Sequence, residues 1–253
     1  IEMGDKEMNI AFICETGNDW CDTLGIIRKL HSLSKQSEGD IFVFVRGKKT
    51  NVKYRYFAEN GANKVRVCNT NQNSFVEMCR SWIITYEIQL IVLQNTEEGK
   101  KTASVLAMML EGGLIADCIN IECDKDEGVQ FFRAALGDFV IAKIKCINTV
   151  YQICTVKKNA FNEENKIFCD IGTIEYIEPK KQVEEARVKV LRSKKIVKQN
   201  ISINNSERVF CFGRGIGSKE DVDKLRCLAE LCDAEVAGTK AVVDNEWLEE
   251  AYQ

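Results

Sequence analysis

A single proline, Pro179, and a single histidine, His31, occur in 253 residues. One imidazole excludes a histidine-rich metal centre. With no serine or cysteine nucleophile clustered around it, His31 reads as a structural or surface residue and not as a triad member. Charge of one sign is also scarce: 35 Lys and Arg stand against 38 Asp and Glu, for a net charge of -3. Such a balance gives no basic field to hold a phosphate backbone, so nucleic acid is not an expected partner. Long hydrophobic runs are missing too. None approaches the roughly 18 residues of a bilayer span, and the opening IEMGDKEMNI has neither the basic flank nor the apolar core of a signal peptide. The expectation is a cytoplasmic chain without membrane insertion.

Cysteine is present, but not as a framework. Twelve in 253 residues fall short of the roughly 8–10% of disulfide scaffolds. Cys14, Cys68, Cys118, Cys146, Cys154, Cys169 and Cys211 lie in apolar, strand-like runs, where a reduced thiol acts as a small buried hydrophobe. Cys118 and Cys123 share their spacing with Cys227 and Cys232, but the second pair falls at i and i+5 of a predicted helix. Its sulfurs diverge, and no zinc site is expected.

From Met8 the pattern alternates short β-branched runs with amphipathic stretches, the signature of a parallel sheet flanked by helices. MNIAFIC, IFVFVR, NKVRVC and IQLIVLQN read as strands. The helices between them are TLGIIRKLHSL, then VKYRYFAENG ended by Gly61, then SFVEMCRSWIITYE. TASVLAMMLEG follows as a helix opened by Thr102 and closed by Gly112 and Gly113, after EEGKK near Glu97 as a solvated helix start. Trp82, Met108 and Met109 sit at helical spacing, as core or as a subunit face. LIADCINIEC, VQFFRAAL, DFVIAKIKCI and VYQICTV then succeed one another with only turns between, which implies an antiparallel or mixed extension of the sheet. Asp117 and Arg133 are placed to form a structural ion pair there.

The domain expectation is an N-terminal α/β domain over 8–178, a charge-rich crossing segment over 179–206, and an incomplete second α/β domain over 207–253. A strand, a helix and one more strand cannot cover a sheet on both faces. In that second domain VFCFGRGIGSKED runs from strand through three glycines into a helix. The glycines can take positive φ and let backbone amides approach an anion, Ser218 can cap the helix, and Arg214 stands beside its positive end. A plain glycine turn remains the alternative.

GRGIGSKEDVDKLRCLAELCDAEVAGTKAVVDNEWL resembles the alpha subunit of electron transfer flavoproteins. The residues that carry the resemblance are Gly213, Arg214, Gly215 and Ser218, then Leu228 and Ala229, then Gly238, Thr239, Lys240, Ala241, Val243, Asp244 and Trp247. ENGANKVRV, GLIADC and FFRAALGDFVIAKIKC are similar to earlier family stretches, so the likeness runs from about Met8 to the end. It implies an FAD-binding electron carrier, not a catalyst in its own right. The implied partners are a beta subunit that in many members holds AMP, and the flavin dehydrogenases that donate electrons. Carried over by position, Arg214 meets FAD, Thr239 hydrogen-bonds its pyrophosphate, Lys240 sets a cation beside the ring, and Gly213 and Gly215 belong to the same loop. A cation there favours the anionic reduced flavin.

Three positions depart from the family. Lys240 stands where arginine is usual, Asn245 where alanine is, and Glu246 where glycine is. The family's alpha subunits also continue past the point that matches Gln253, through segments that contact much of the flavin. A flavin-free nucleotide-binding or assembly protein of the same fold is the alternative expectation.

Overall fold

The computed structural model describes residues 7–15, 20–49, 52–124, 127–161, 172–179, 192, 203 and 206–253. Chain contacts divide it into two units, Ile1–Arg187 and Val188–Gln253. Most of the 179–206 crossing segment and Cys169 lie outside the described residues.

The first unit is built on strands that are apolar on both faces. β1 (Asn9–Glu15), β2 (Ile41–Arg46), β3 (Lys64–Cys68), β4 (Ile88–Gln94) and β8 (Gln152–Val156) form the middle of a nine-stranded sheet. Burial of β1, β2, β4 and β8 is nearly continuous, as expected where helices cover both faces. One face packs Ile10, Phe12, Val43 and Val92 against α1 (Trp20–Ser37) and α2 (Arg55–Glu59) through Ile26, Leu30 and Phe57. The other packs Ala11, Phe44, Ile91 and Leu93 against α3 (Gln72–Thr85) and α4 (Glu97–Leu110) through Phe75, Trp82 and Leu106. The result is the α/β class expected from the strand and helix rhythm.

The strand order is β7-β6-β5-β8-β4-β1-β2-β3-β9, with β5 at Gly113–Asp124, β6 at Gly128–Ala135, β7 at Val140–Ile144 and β9 at Thr173–Ile177. β5, β6 and β7 form the expected antiparallel ribbon. β8 is different: it enters parallel between β4 and β5, so its closeness in sequence to the ribbon does not make it the next ribbon strand. Where β5 leaves β8 and turns to β6 its register shifts around Asp117, which holds a left-handed φ of 60.

Helix ends depart from the apolar pattern. Thr96, not Thr102, caps α4 by accepting from the Gly99 amide, and Glu97 and Glu98 fill its first turn. The other end closes on Glu111 at φ 52, not on Gly112 or Gly113. Thr102 is instead buried, and takes a hydrogen bond from Gln72 Nε2.

A buried carboxylate ties α1 to the sheet. Asp22 is 4% exposed; its Oδ1 accepts from the Asn159 amide and its Oδ2 from Gln94 Nε2, both at 2.9 Å. Asp22→Ala removes both acceptors and should cost about 2–3 kcal/mol, read as a lower denaturant midpoint at unchanged slope.

The second unit holds β10 (Val209–Phe212), α5 (Lys219–Leu231), β11 (Glu235–Gly238) and α6 (Lys240–Asp244). Phe212, Val222, Ala229, Val236, Val242 and Leu248 make its small core. Gly238 sits where a Cβ would come within 2.7 Å of Leu248 Cδ1, so the strand end must be bare for the closing segment to pack. Glu246 has φ 57, a conformation that costs an L-residue roughly 1–2 kcal/mol. This is a position where the resemblance described above implies glycine. Glu246→Gly should therefore raise the stability of this unit, by up to about 1 kcal/mol after glycine's own entropy cost; an unchanged or lower denaturation midpoint contradicts that strain.

Candidate functional site

β10 and β11 pair in parallel with Phe212 opposite Gly238. Both carboxyl ends therefore open at one edge, the edge at which α/β sheets take ligands. The Thr239 amide donates to the Phe212 carbonyl at 3.0 Å and locks the two exits together. A Cβ built on Gly213 would lie 3.6 Å from Thr239 Oγ1. Gly213 and Thr239, far apart in sequence, are thus neighbours, and Arg214 and Lys240 are the next residue on each arm.

The glycines divide by role. Gly213 has φ -111, open to any residue, and only Gly217, at φ 89, takes the left-handed region that the sequence suggested for the loop. Arg214–Ile216 form one 3-10 turn, in which the Ile216 amide donates to Gly213 O at 3.1 Å and the Gly217 amide to Arg214 O at 3.2 Å. A Cβ on Gly213 would meet only Thr239, at van der Waals distance, and one on Gly215 would meet nothing within 4 Å. Neither packing nor backbone strain demands glycine at these two positions. What glycine does there is leave bare a cradle that side chains would fill, which fits a ligand approaching the main chain.

Ser218 caps α5 as the sequence implies, and Asp221 completes the arrangement. Ser218 Oγ accepts from the Asp221 amide at 3.2 Å and donates to Asp221 Oδ2 at 2.7 Å, while Lys224 Nζ donates to Oδ1 at 2.8 Å. Hydrogen bonds from Lys224 and then Ser218 hold the Asp221 carboxyl below its ordinary value. The positive end of α5 is thus already met by Glu220 and Asp221. An incoming anion is left to the glycine turn, Thr239 and the two cations. Asp221 was legible as the fourth residue of S-x-x-D.

Thr239 is exposed at the start of α6 and makes no side-chain capping bond. Arg214 and Lys240 are exposed, and neither forms an ion pair with a described residue. Among the described residues this edge therefore gathers one unengaged hydroxyl, two unengaged cations and two bare glycines.

The other candidates resolve structurally. His31 lies against Gly61, where a Cβ would come within 2.6 Å of the imidazole Nδ1; burial, then Lys35, push its pKa down. Asp117 does not pair with Arg133: the bulge turns its carboxylate to Asn95 Nδ2, and its amide donates to Thr155 Oγ1 at 3.2 Å. No group of three or more His, Cys, Asp or Glu suited to a metal occurs among the described residues. Burial pushes the thiols of Cys14, Cys79 and Cys154 up. Cys146 is only half-buried and Cys211 exposed, against the expectation of buried strand thiols. At the carboxyl ends of β1 and β4 a depression lined by Glu15, Gln94, Thr96 and Thr102 has a volume of about 10 Å³, room for about one water. No described helix is long and apolar enough to cross a membrane.

Comparison with known proteins accounts for both units. Residues 31–192 match the electron transfer flavoprotein domain family, and residues 202–253 match the electron transfer flavoprotein FAD-binding domain family. Protein FixB of Clostridium saccharobutylicum is 29% identical over 203 residues, 78% of this chain and 60% of that protein. The electron transfer flavoprotein subunit alpha of Clostridium acetobutylicum is 29% identical over 168 residues, 65% of this chain and 50% of that protein. The lactate dehydrogenase (NAD(+),ferredoxin) subunit LctC of Acetobacterium woodii is 23% identical over 240 residues, 91% of this chain and 56% of that protein. The chain thus spans between half and three fifths of the length of these relatives. With a nine-stranded α/β unit under the first match and the paired turns of β10 and β11 under the second, the chain belongs to the electron transfer flavoprotein family.

Proposed function

We propose that this chain serves as an alpha-type subunit of an electron transfer flavoprotein. In this role it is an FAD-dependent electron carrier working with a beta subunit and accepting electrons from flavin dehydrogenases, not an enzyme with a substrate of its own. The observation that carries the proposal is the meeting of Gly213 and Thr239 at the shared carboxyl edge of β10 and β11. The named relatives support it: one is an alpha subunit of such a carrier and another a subunit of a dehydrogenase. The free thiols of the ten described cysteines fit a cytoplasmic, reducing setting. AMP, in this proposal, is a property of the partner subunit and not of this chain.

FAD supplies the redox chemistry when bound. This chain's residues bind and orient it. Gly213 and Gly215 leave room for a pyrophosphate against the main chain, Arg214 sets a guanidinium beside it, and the Thr239 hydroxyl donates to a phosphate oxygen. Lys240 keeps a positive charge at the same edge, where it favours the more negative, reduced state of a neighbouring flavin. As an ammonium it does so without the planar fork that arginine brings.

The test is flavin binding and potential in the chain purified with its beta subunit. Arg214→Ala and Thr239→Val should each weaken FAD affinity about tenfold, the loss of one charge-assisted or phosphate hydrogen bond. Lys240→Ala should move the flavin potential to more negative values, and Lys240→Arg should not. Parent-like affinity and potential in all four variants would take the flavin away from these residues, and a parent complex that takes up no flavin would favour the flavin-free alternative.

A further inference from the structure

Exposed large apolar side chains are not spread evenly over the described residues. Nine of the fifteen fall between Val105 and Val150, and the most exposed of them gather at the sheet edge closed by β7. In the β6–β7 turn Leu136 is 79% exposed and Phe139 91%; on β7 itself Ile141 is 62%; in the connector to β8 Ile147 is 76%. The connector is anchored beside the end of α4, since Thr149 Oγ1 donates to Glu111 O at 3.1 Å and the Gly113 amide to Tyr151 O at 3.0 Å. Met108, 73% exposed on the last turns of α4, thereby joins the same end of the sheet.

Two further observations point the same way. Among the described residues β7 pairs only with β6, so one row of its backbone donors and acceptors is open, and no proline interrupts it. The turn is also strained: Leu136, Gly137 and Asp138 hold φ values of 52, 70 and 68, and a leucine in the left-handed region is rare. That conformation presents Leu136 and Phe139 to solvent where a relaxed turn would carry polar residues.

We propose that the β7 edge, with the turn before it and the connector after it, seats the partner chain, which adds a strand to the sheet. The proposal rests on the alpha-subunit function above, and the occupant is accordingly the beta subunit. The six side chains Leu136, Phe139, Val140, Ile141, Ile147 and Val150 offer on the order of 700 Å², near the roughly 800 Å² that each partner buries in a stable interface and above the 300–600 Å² patch of an ordinary monomer. Charge favours a different chain over a second copy. Arg133, Lys143 and Lys145 line this ribbon, with Glu127 already bound to Lys143 at 2.7 Å. Antiparallel self-pairing of β7 would gather both copies' Lys143 and Lys145 along one seam, whereas a partner strand rimmed by carboxylates meets them with opposite charge.

The experiment is co-expression of the chain with its beta subunit, capture through a tag on this chain, and measurement of the beta subunit retained. The parent should retain it at about equal stoichiometry. Ile141→Asp on the strand and Phe139→Ser in the turn should each cut retention at least tenfold, while Tyr56→Ser, exposed on α2, should not. Phe139→Ser leaves every strand pairing intact, so it decides the matter if the strand variant fails to fold. Full retention by a folded Phe139→Ser or Ile141→Asp chain overturns the proposal and leaves the alpha-subunit function standing. A parent that retains no beta subunit overturns both. Light scattering that shows the chain alone as a dimer, dissolved by Ile141→Asp, gives the edge to a second copy and likewise overturns it.

Discussion

The parallel register of β10 and β11 is the constraint on which the candidate site depends. Phe212 opposite Gly238, sealed by the bond from the Thr239 amide to the Phe212 carbonyl, sets two chain exits side by side. A slip of one residue would turn each side chain to the opposite face, and Thr239 would no longer stand against Gly213. The small core under these strands secures that register. Val222 and Val242 are fully buried, and Gly238 is bare because Leu248 packs over it. The chemistry of the edge is thus set by hydrophobic packing below and left to solvent-exposed polar groups above, an order that keeps Arg214, Thr239 and Lys240 available to a ligand.

The first unit is organised differently. Its central strands are buried on both faces, and part of its polar interior gathers near the ends of elements: Asp22 with Gln94, Asn95 with Asp117 and Thr155, Glu15 with Arg46 at 2.6 Å. These groups satisfy one another, which fits a scaffold. Thr70 Oγ1 and Gln72 Oε1 are buried without a partner among the described residues, and at the rim the open edge and apolar turn of β7 are left uncovered. The two units accordingly divide the work proposed here, with cofactor contacts on the second and partner contacts on the first.

Much of this was legible in the residues. IFVFVR is apolar on every residue but one and IQLIVLQN on five of its eight, and strands of that kind need cover on both sides. Ser218 before a charged amphipathic run marked the start of α5. Other features were hidden for identifiable reasons. Thr96 was missed because α4 opens on the polar EEGKK turn, so a periodicity that counts apolar residues begins late. β8 looked like the next strand of a ribbon because spatial order is set by which neighbour covers an edge, not by adjacency in sequence. Asp117 and Arg133 face the right strands, but a bulge turns the carboxylate toward Asn95. Among the site residues, Thr239 and Lys240 could be named only through the family resemblance, since nothing in AGTKAVV shows which strand end it joins. The strain at Glu246 was visible only as a departure from the family's glycine.

Backbone amide spectra of the labelled chain, bound to its beta subunit and titrated with FAD, test the central claim most directly. The account predicts that the largest shifts fall on Gly213, Arg214, Gly215, Thr239 and Lys240, the residues of the two paired exits. Shifts that spare this edge and concentrate at the carboxyl ends of β1 and β4 would contradict it.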